Sequence, residues 1–266
     1  MNLVQDEFAI YFEYDLAAPP NKLPNSTRFI LISDTHNRTF DIPYGEILIH
    51  AGDLSTLSNI EYGVTANWLA SSSCPSKVII AGNHDIMLLR EGYPYTNGSW
   101  NLSHSDPDAI HFLCGIQGVT NGVYYLQNNT REIGIDRKTW KILGSPLYPS
   151  RRPTKHTAMK ALQTVSSFEP TDVLITHGPP RNILDKTQSN LHVGCIELTD
   201  ALPRLRPKLH VFGHIHESRG FQVVHYDNGD YTIHVNAANS PVGGHYVNDK
   251  DKDYNLHAVI VDIVNL

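Results

Sequence analysis

The sequence predicts an α/β fold in which two packed sheets carry helices on their outer faces. Three observations carry that reading. Short apolar runs recur along the chain and end in Gly, His, Asp or Asn; strands alternate with helical segments in both halves; and turn-rich short strands fill the middle. With 266 residues, 41% hydrophobic and 18% charged, the chain suits one large globular domain over 1–266. An N-terminal arm is expected at 1–26 and the core at 27–266.

The arm holds apolar and acidic residues with one edge strand, and Ala17-Ala18-Pro19-Pro20 ends it as a turn-rich linker. Residues 28–33 read as a buried strand, followed by Asp34-Thr35-His36-Asn37-Arg38. The next apolar run, 46–51, meets Gly52, which lets the chain bend so that Asp53 projects beyond the sheet. Residues 59–71 have helical spacing at Ile60, Val64 and Trp68, with Leu69 alongside and Asn59 as the cap. A third strand, 77–81, runs into Gly82-Asn83-His84-Asp85.

Residues 91–108 are Gly-, Pro-, Asn- and Ser-rich without periodicity, a surface excursion suited to a lid. Runs at 123–126, 132–135 and 140–143 read as three short strands of a meander, with turns at Asn128-Asn129 and Asp136-Arg137-Lys138. A helix over 156–168 should turn Ala161, Leu162 and Val165 inward. Another buried strand, 171–176, ends in His177-Gly178-Pro179-Pro180. A helix over 195–205 and a strand over 209–212 lead to Gly213-His214-Ile215-His216. A hairpin around 227–230 and a strand over 257–264 complete the chain.

The formal charge of −6 and a pI near 6.2 argue against a dedicated nucleic-acid or anionic-membrane binder, while leaving room for a local basic pocket. Cys74, Cys114 and Cys195 are too few and too scattered for a disulfide framework or a thiolate zinc site. The first 16 residues have no basic region typical of a secretory signal, and no apolar run approaches the ~18 residues of a membrane span. A reducing, cytoplasmic setting is the expectation, with no membrane partner.

The chemistry lies at the strand ends. In order they read Asp34-x-His36, Gly52-Asp53, Gly82-Asn83-His84-Asp85, His177-Gly178 and Gly213-His214-x-His216. Side chains two apart on an extended strand share a face, so Asp34 with His36, and His214 with His216, can each converge on one pocket. The set offers carboxylates, an amide and imidazoles with no thiolate, which suits Mn, Fe, Zn, Co or Ni without choosing among them.

These five blocks, in this order over about 34 to 216, resemble the calcineurin-like metallophosphoesterase superfamily. The variant Ser33-Asp34-Thr35-His36-Asn37-Arg38-Thr39, with Thr176-His177-Gly178-Pro179-Pro180 and His192-Val193-Gly194-Cys195, is similar to a smaller subgroup. That subgroup comprises single-domain metallophosphoesterase-domain-containing proteins related to class III cyclic-nucleotide phosphodiesterases. The resemblance implies a four-layer α/β/β/α sandwich and two divalent metal ions, with Mn favoured. It puts one ion on Asp34, His36, Asp53 and His216, and the other on Asp53, Asn83, His177 and His214, with Asp53 as the bridge. It further implies attack by a metal-bridging hydroxide on a phosphodiester such as a cyclic nucleotide.

On the same resemblance His84 is the non-ligand histidine that assists the leaving oxygen, and Asp85 orients a neighbouring group. Arg38 and Arg181 follow ligand blocks closely and are candidates, with Asn83, to bind substrate phosphate. His192 and Cys195 are expected to pack, and His245, beside Gly243-Gly244, is left as structural. A phosphomonoesterase, a nuclease or a low-activity nucleotide-binding regulator remain the alternatives.

Overall fold

A computed structural model describes residues 2–56, 59–89, 107–149, 154–240 and 257–265. The excursion expected at 91–108 lies outside them except for its last two residues, as does His245.

In chain order the strands are β1 (Asn2–Val4), β2 (Phe8–Tyr11), β3 (Ser26–Ile32), β4 (Ile47–His50), β5 (Ser76–Ile79), β6 (Val123–Tyr125), β7 (Asn129–Ile135) and β8 (Lys138–Ser145). They continue with β9 (Val173–Thr176), β10 (Leu209–Phe212), β11 (Gly220–His225), β12 (Tyr231–Asn236) and β13 (Val259–Val264). The helices are α1 (Asn59–Ser71), α2 (Pro107–Cys114), α3 (Ile116–Thr120), α4 (Lys155–Ser166) and α5 (Ile196–Leu205).

Two mixed sheets result. The first runs β1-β2-β13-β3-β4-β5-β6, and the second runs β11-β12-β10-β9-β8-β7. In the first sheet β3 to β6 are parallel out to one edge, with antiparallel strands on the other side; in the second β12, β10, β9 and β8 are parallel and antiparallel strands flank them. The N-terminal stretch supplies two strands rather than one, with β2 antiparallel to β13.

The layering follows from strand alternation. On β3, Phe29 and Leu31 face the second sheet and pack with Trp140, Ile142, Val173, Val211 and Ile233. The neighbours Ile30 and Ile32 face the other way, against Tyr62 and Leu69 of α1 and Leu113 of α2. On the second sheet Leu143 and Leu174 turn outward to Ala161 and Val165 of α4 and Leu198 and Leu202 of α5. The order of layers is therefore α/β/β/α.

Three local expectations are corrected. The runs at 123–126, 132–135 and 140–143 do not form one meander. β6 pairs parallel with β5 in the first sheet, while β7 and β8 form a hairpin in the second. The chain changes sheets at Leu126, which is buried between them. Leu162 is 49% exposed, because the buried stripe of α4 follows Ala161 and Val165, four residues apart, and Leu162 stands about 100° round the helix. Val64 is likewise 49% exposed, because α1 buries Tyr62 and Ala66 together with the expected Leu69.

Candidate metal centre

The five strand-end blocks meet along the seam between the two sheets. The backbone does part of the work: Asp34 N–H donates to Gly52 O at 2.9 Å, His36 N–H to Asp53 O at 3.1 Å, and Asn37 N–H to Leu54 O at 2.9 Å. These bonds extend the β3–β4 pairing into the loops. From the second sheet, Gly213 N–H donates to His177 O at 2.9 Å, and His214 N–H reaches both Asp34 oxygens, at 3.2 and 3.0 Å.

Asp34, His36, Asp53 and His214 all adopt left-handed backbone, with φ of 53°, 45°, 54° and 67°. Such conformations cost roughly 1–3 kcal/mol at non-glycine residues and gather at functional sites. Gly52 has φ 96°, and a Cβ there would come within 2.7 Å of His177 Nδ1. A Cβ on Gly82 would collide with the Asp53 carboxylate. The glycines thus let three loops close on one another.

Among the described residues, three groups of ligand atoms, each spanning no more than 4.8 Å, could hold a metal ion: Asp34, His36 and His216; His36, Asp53 and His84; and Asp34, Asp53 and His177. Asp53 Oδ1 lies 3.4 Å from His177 Nε2, while its Oδ2 lies 3.8 Å from His36 Nε2 and 3.9 Å from His84 Nε2. Asp34 Oδ1 lies 3.1 Å from His216 Nε2. Asn83 Oδ1 is 3.0 Å from His177 Nε2, and the His214 ring is 5.0 Å from that of His177. The expected ligands are therefore neighbours, and His84 stands among them.

The imidazoles are aimed. His177 Nδ1 donates to Ala51 O at 2.9 Å and His36 Nδ1 to Ser55 O at 3.2 Å, which turns both Nε2 atoms toward Asp53. Asp85, fully buried, accepts from Gly82 N at 2.8 Å, Leu54 N at 3.0 Å, and Ser55 N and Oγ at 3.0 and 3.2 Å. It ties the loop after β4 to the loop after β5. His50 is a structural histidine: Nε2 meets Thr35 Oγ1 at 2.9 Å, and burial pushes the ring down to about 3.

Burial would raise the Asp34 carboxyl, but the His216 hydrogen bond and the charges of His216, His177 and His36 hold it well below the usual range. Asp53 is also held low: burial opposes ionisation, and the His177 charge and hydrogen bond overcome it. Burial works against a charged His177, yet the Asp53 carboxylate and its hydrogen bond, with Asp34 behind, raise that imidazole to about 9. Burial and then the His177 charge push His214 down to about 3. Burial also lowers His84.

Of the expected phosphate binders, Arg38 is exposed on the loop beyond His36. Arg181 lines a cavity of about 660 Å³ that also borders His214. His192 and Cys195 line the same cavity, and Cys195 also packs as expected, buried in the core with Leu174, Leu198 and Leu202. Two residues carry no motif signal: Tyr148, whose ring is 5.5 Å from His214 and 5.9 Å from His177, and Asp185, which is buried beside His192. Tyr148 sits just beyond β8, whose end points to the same seam as those of β9 and β10, and that position was the available clue.

A site of buried carboxylates and aimed imidazoles at the carboxyl ends of parallel strands defines a metal-binding α/β protein of the metallophosphoesterase type. Residues 27–218 match the calcineurin-like phosphoesterase family, and the chain belongs to it. It is 34% identical over 218 residues to metallophosphoesterase domain-containing protein 1 of Homo sapiens, and equally to that of Mus musculus. The alignment covers 75% of this chain and 63% of each relative, so the chain spans less than two thirds of their length. Among solved structures, phosphopantetheinyl hydrolase (PptH) from Mycobacterium tuberculosis shares the fold, with a TM-score of 0.50 at 15% identity over 89% of this chain and 96% of that one. No helix among the described residues is long and apolar enough to cross a membrane.

Proposed function

We propose that this protein is a metal-dependent phosphoesterase that hydrolyses a phosphodiester bond. The observation that supports it most is the Asp53 carboxylate, whose Oδ1 faces His177 at 3.4 Å while its Oδ2 faces His36 at 3.8 Å. A carboxylate with one oxygen toward each group of imidazoles is suited to bridging two cations, a task an amide or a single imidazole nitrogen does poorly.

The donor set fits two divalent ions of Mn, Fe, Zn, Co or Ni, with Mn the first to try. On this reading Asp34, His36, Asp53 and His216 hold one ion, and Asp53, Asn83, His177 and His214 hold the other. When bound, the ions supply Lewis acidity and neutralise charge on the phosphoryl oxygens.

The chain's own groups do the rest. His84 has about a third of its side chain exposed and its Nε2 3.9 Å from Asp53, a position for hydrogen-bonding or protonating the departing oxygen. On this reading Arg181 and Arg38 hold phosphate oxygens, with Asn83 able to contact substrate beside its metal. A small phosphodiester, with cyclic nucleotides as the first class to screen, follows from the subgroup resemblance.

Hydrolysis of bis-p-nitrophenyl phosphate by the Mn²⁺-loaded protein tests the reading. Wild type should turn over and Asp53→Asn should lose at least ~100-fold. Equal rates, or no wild-type hydrolysis with any of the five metals, would overturn it. A higher rate on p-nitrophenyl phosphate would redirect the assignment to a monoesterase.

A further inference from the structure

The cavity beside His214 has a built feature that the metal centre does not use. Asp185 is fully buried, and its Oδ1 meets His192 Nδ1 at 2.5 Å. Its Oδ2 accepts from Gly194 N at 2.8 Å, and Val193 N–H donates to Asp185 O at 3.3 Å. The segment is stapled further by an antiparallel bridge between Lys186 and His192 and a parallel one between Pro180 and Cys195. A surface histidine does not need a buried carboxylate to hold it. This one is fixed.

The consequence is chemical. Asp185 Oδ1 accepts this bond, so Nδ1 carries the hydrogen, and in the neutral tautomer that the bond selects Nε2 is a lone pair. His192 lines the cavity with a third of its side chain exposed, and no protein group takes Nε2 among the described residues. Glu197 and Glu217 line the same cavity and add carboxylate oxygens. Arg181 is the only described lining residue with a guanidinium or ammonium. Apart from that residue, the polar lining is rich in acceptors, and a volume of about 660 Å³ suits a small organic group.

We propose that this cavity is the subsite for the organic group of the substrate, and that His192, positioned by Asp185, accepts a hydrogen bond there and selects groups carrying hydroxyl or amino donors. The assignment rests on the phosphoester reading for what lies at the His214 end of the cavity. Tyr148 lines the cavity with its ring 5.5 Å from that of His214, at the end where phosphate and organic group would join.

Binding tests this without turnover. The probes are 2,3-dihydroxypropylphosphonate and propylphosphonate, titrated calorimetrically into the Zn²⁺-loaded full chain. Wild type should bind the dihydroxy probe about fivefold more tightly, the worth of one net hydrogen bond. His192→Leu should bind both probes equally, and His192→Gln, which restores an acceptor, should recover part of the preference. No preference in wild type, or a preference that survives His192→Leu, overturns the proposal, and the wild-type measurement decides even where a variant does not fold. Hydrolysis of the matching p-nitrophenyl diesters is read separately. Preference without hydrolysis keeps the subsite and removes the phosphoesterase reading; hydrolysis with no preference does the reverse.

Discussion

His177 reaches Asp53 across the seam between the two sheets. The histidine follows β9 of the second sheet, and the aspartate follows β4 of the first. Its Nε2 lies 3.4 Å from Asp53 Oδ1, and its Nδ1 donates to Ala51 O, two residues before that aspartate. One ring therefore locks onto both the backbone and the side chain of the opposite sheet. Packing the sheets and assembling the site are one event, which ties metal chemistry to stability.

That pairing sets a pH dependence. Asp53 raises His177 to about 9 in the folded, metal-free chain, against about 6.5 for an unfolded histidine. A raised imidazole contributes stability that is complete below about pH 6.5 and lost as pH climbs through about 9. The chelator-treated protein should therefore melt at progressively lower temperature between those limits. Metal binding needs the neutral ring, so metal affinity should rise across the same window. Melting scans with and without EDTA check both slopes, and Asp53→Asn should flatten the first. A chelated melting temperature that rises with pH would sink the argument.

Metal counts separate shared ligands from private ones. Asp53 faces His36 with one oxygen and His177 with the other, whereas His216 is grouped with Asp34 and His36 alone. Asp53→Asn should lose nearly all bound metal, and His216→Ala about half. Elemental analysis of the dialysed proteins reads this directly. Equal losses in the two variants would mean that Asp53 does not bridge.

His84 divides differently between backbone and side chain. Its N–H donates to Asp53 Oδ1 at 2.8 Å, a bond that any residue at this position keeps, while its ring stands 3.9 Å from Oδ2. His84→Ala should retain the metal and the fold and lose ~10²–10⁴ in kcat. The ring also falls within a group that could hold an ion. Loss of metal in the variant would make His84 a ligand.

The strand-end blocks were legible because each joins an apolar run to polar residues of special conformation, a local pattern that survives without knowledge of partners. The layers followed for the same reason. What was not legible depends on distant contacts. A meander and a strand that crosses to another sheet look alike locally, so the sequence groups the run at 123–126 with the hairpin that follows it. Helical periodicity shows that a stripe exists but not its phase when neighbours such as Ala161 and Leu162 are both apolar, and Leu162 was turned inward wrongly. Asp185 belongs to none of the quoted motifs although it lies between two of them, and the loop conformation that turns it onto His192, seven residues on, has no sequence pattern of its own.

Asp85 tests whether the loops or the ligands hold the centre in shape. Its carboxyl is pushed up to about 6, by burial first and then by the Asp53 charge, while backbone N–H donors from Gly82, Leu54 and Ser55 pull the other way. Those donors span the two loops that carry Asp53, Asn83 and His84. Asp85→Asn keeps the shape but turns an amide N–H₂ toward backbone N–H groups, leaving at least one buried donor unpaired at a cost of about 2–3 kcal/mol. Urea unfolding of the chelated protein should show that loss, whereas the exposed Leu162→Ser should fall within ~0.5 kcal/mol of wild type. Metal affinity should drop in Asp85→Asn as well, since the loop that aims Asp53 loosens. If stability and metal content both match wild type, the ligands position themselves and Asp85 is dispensable.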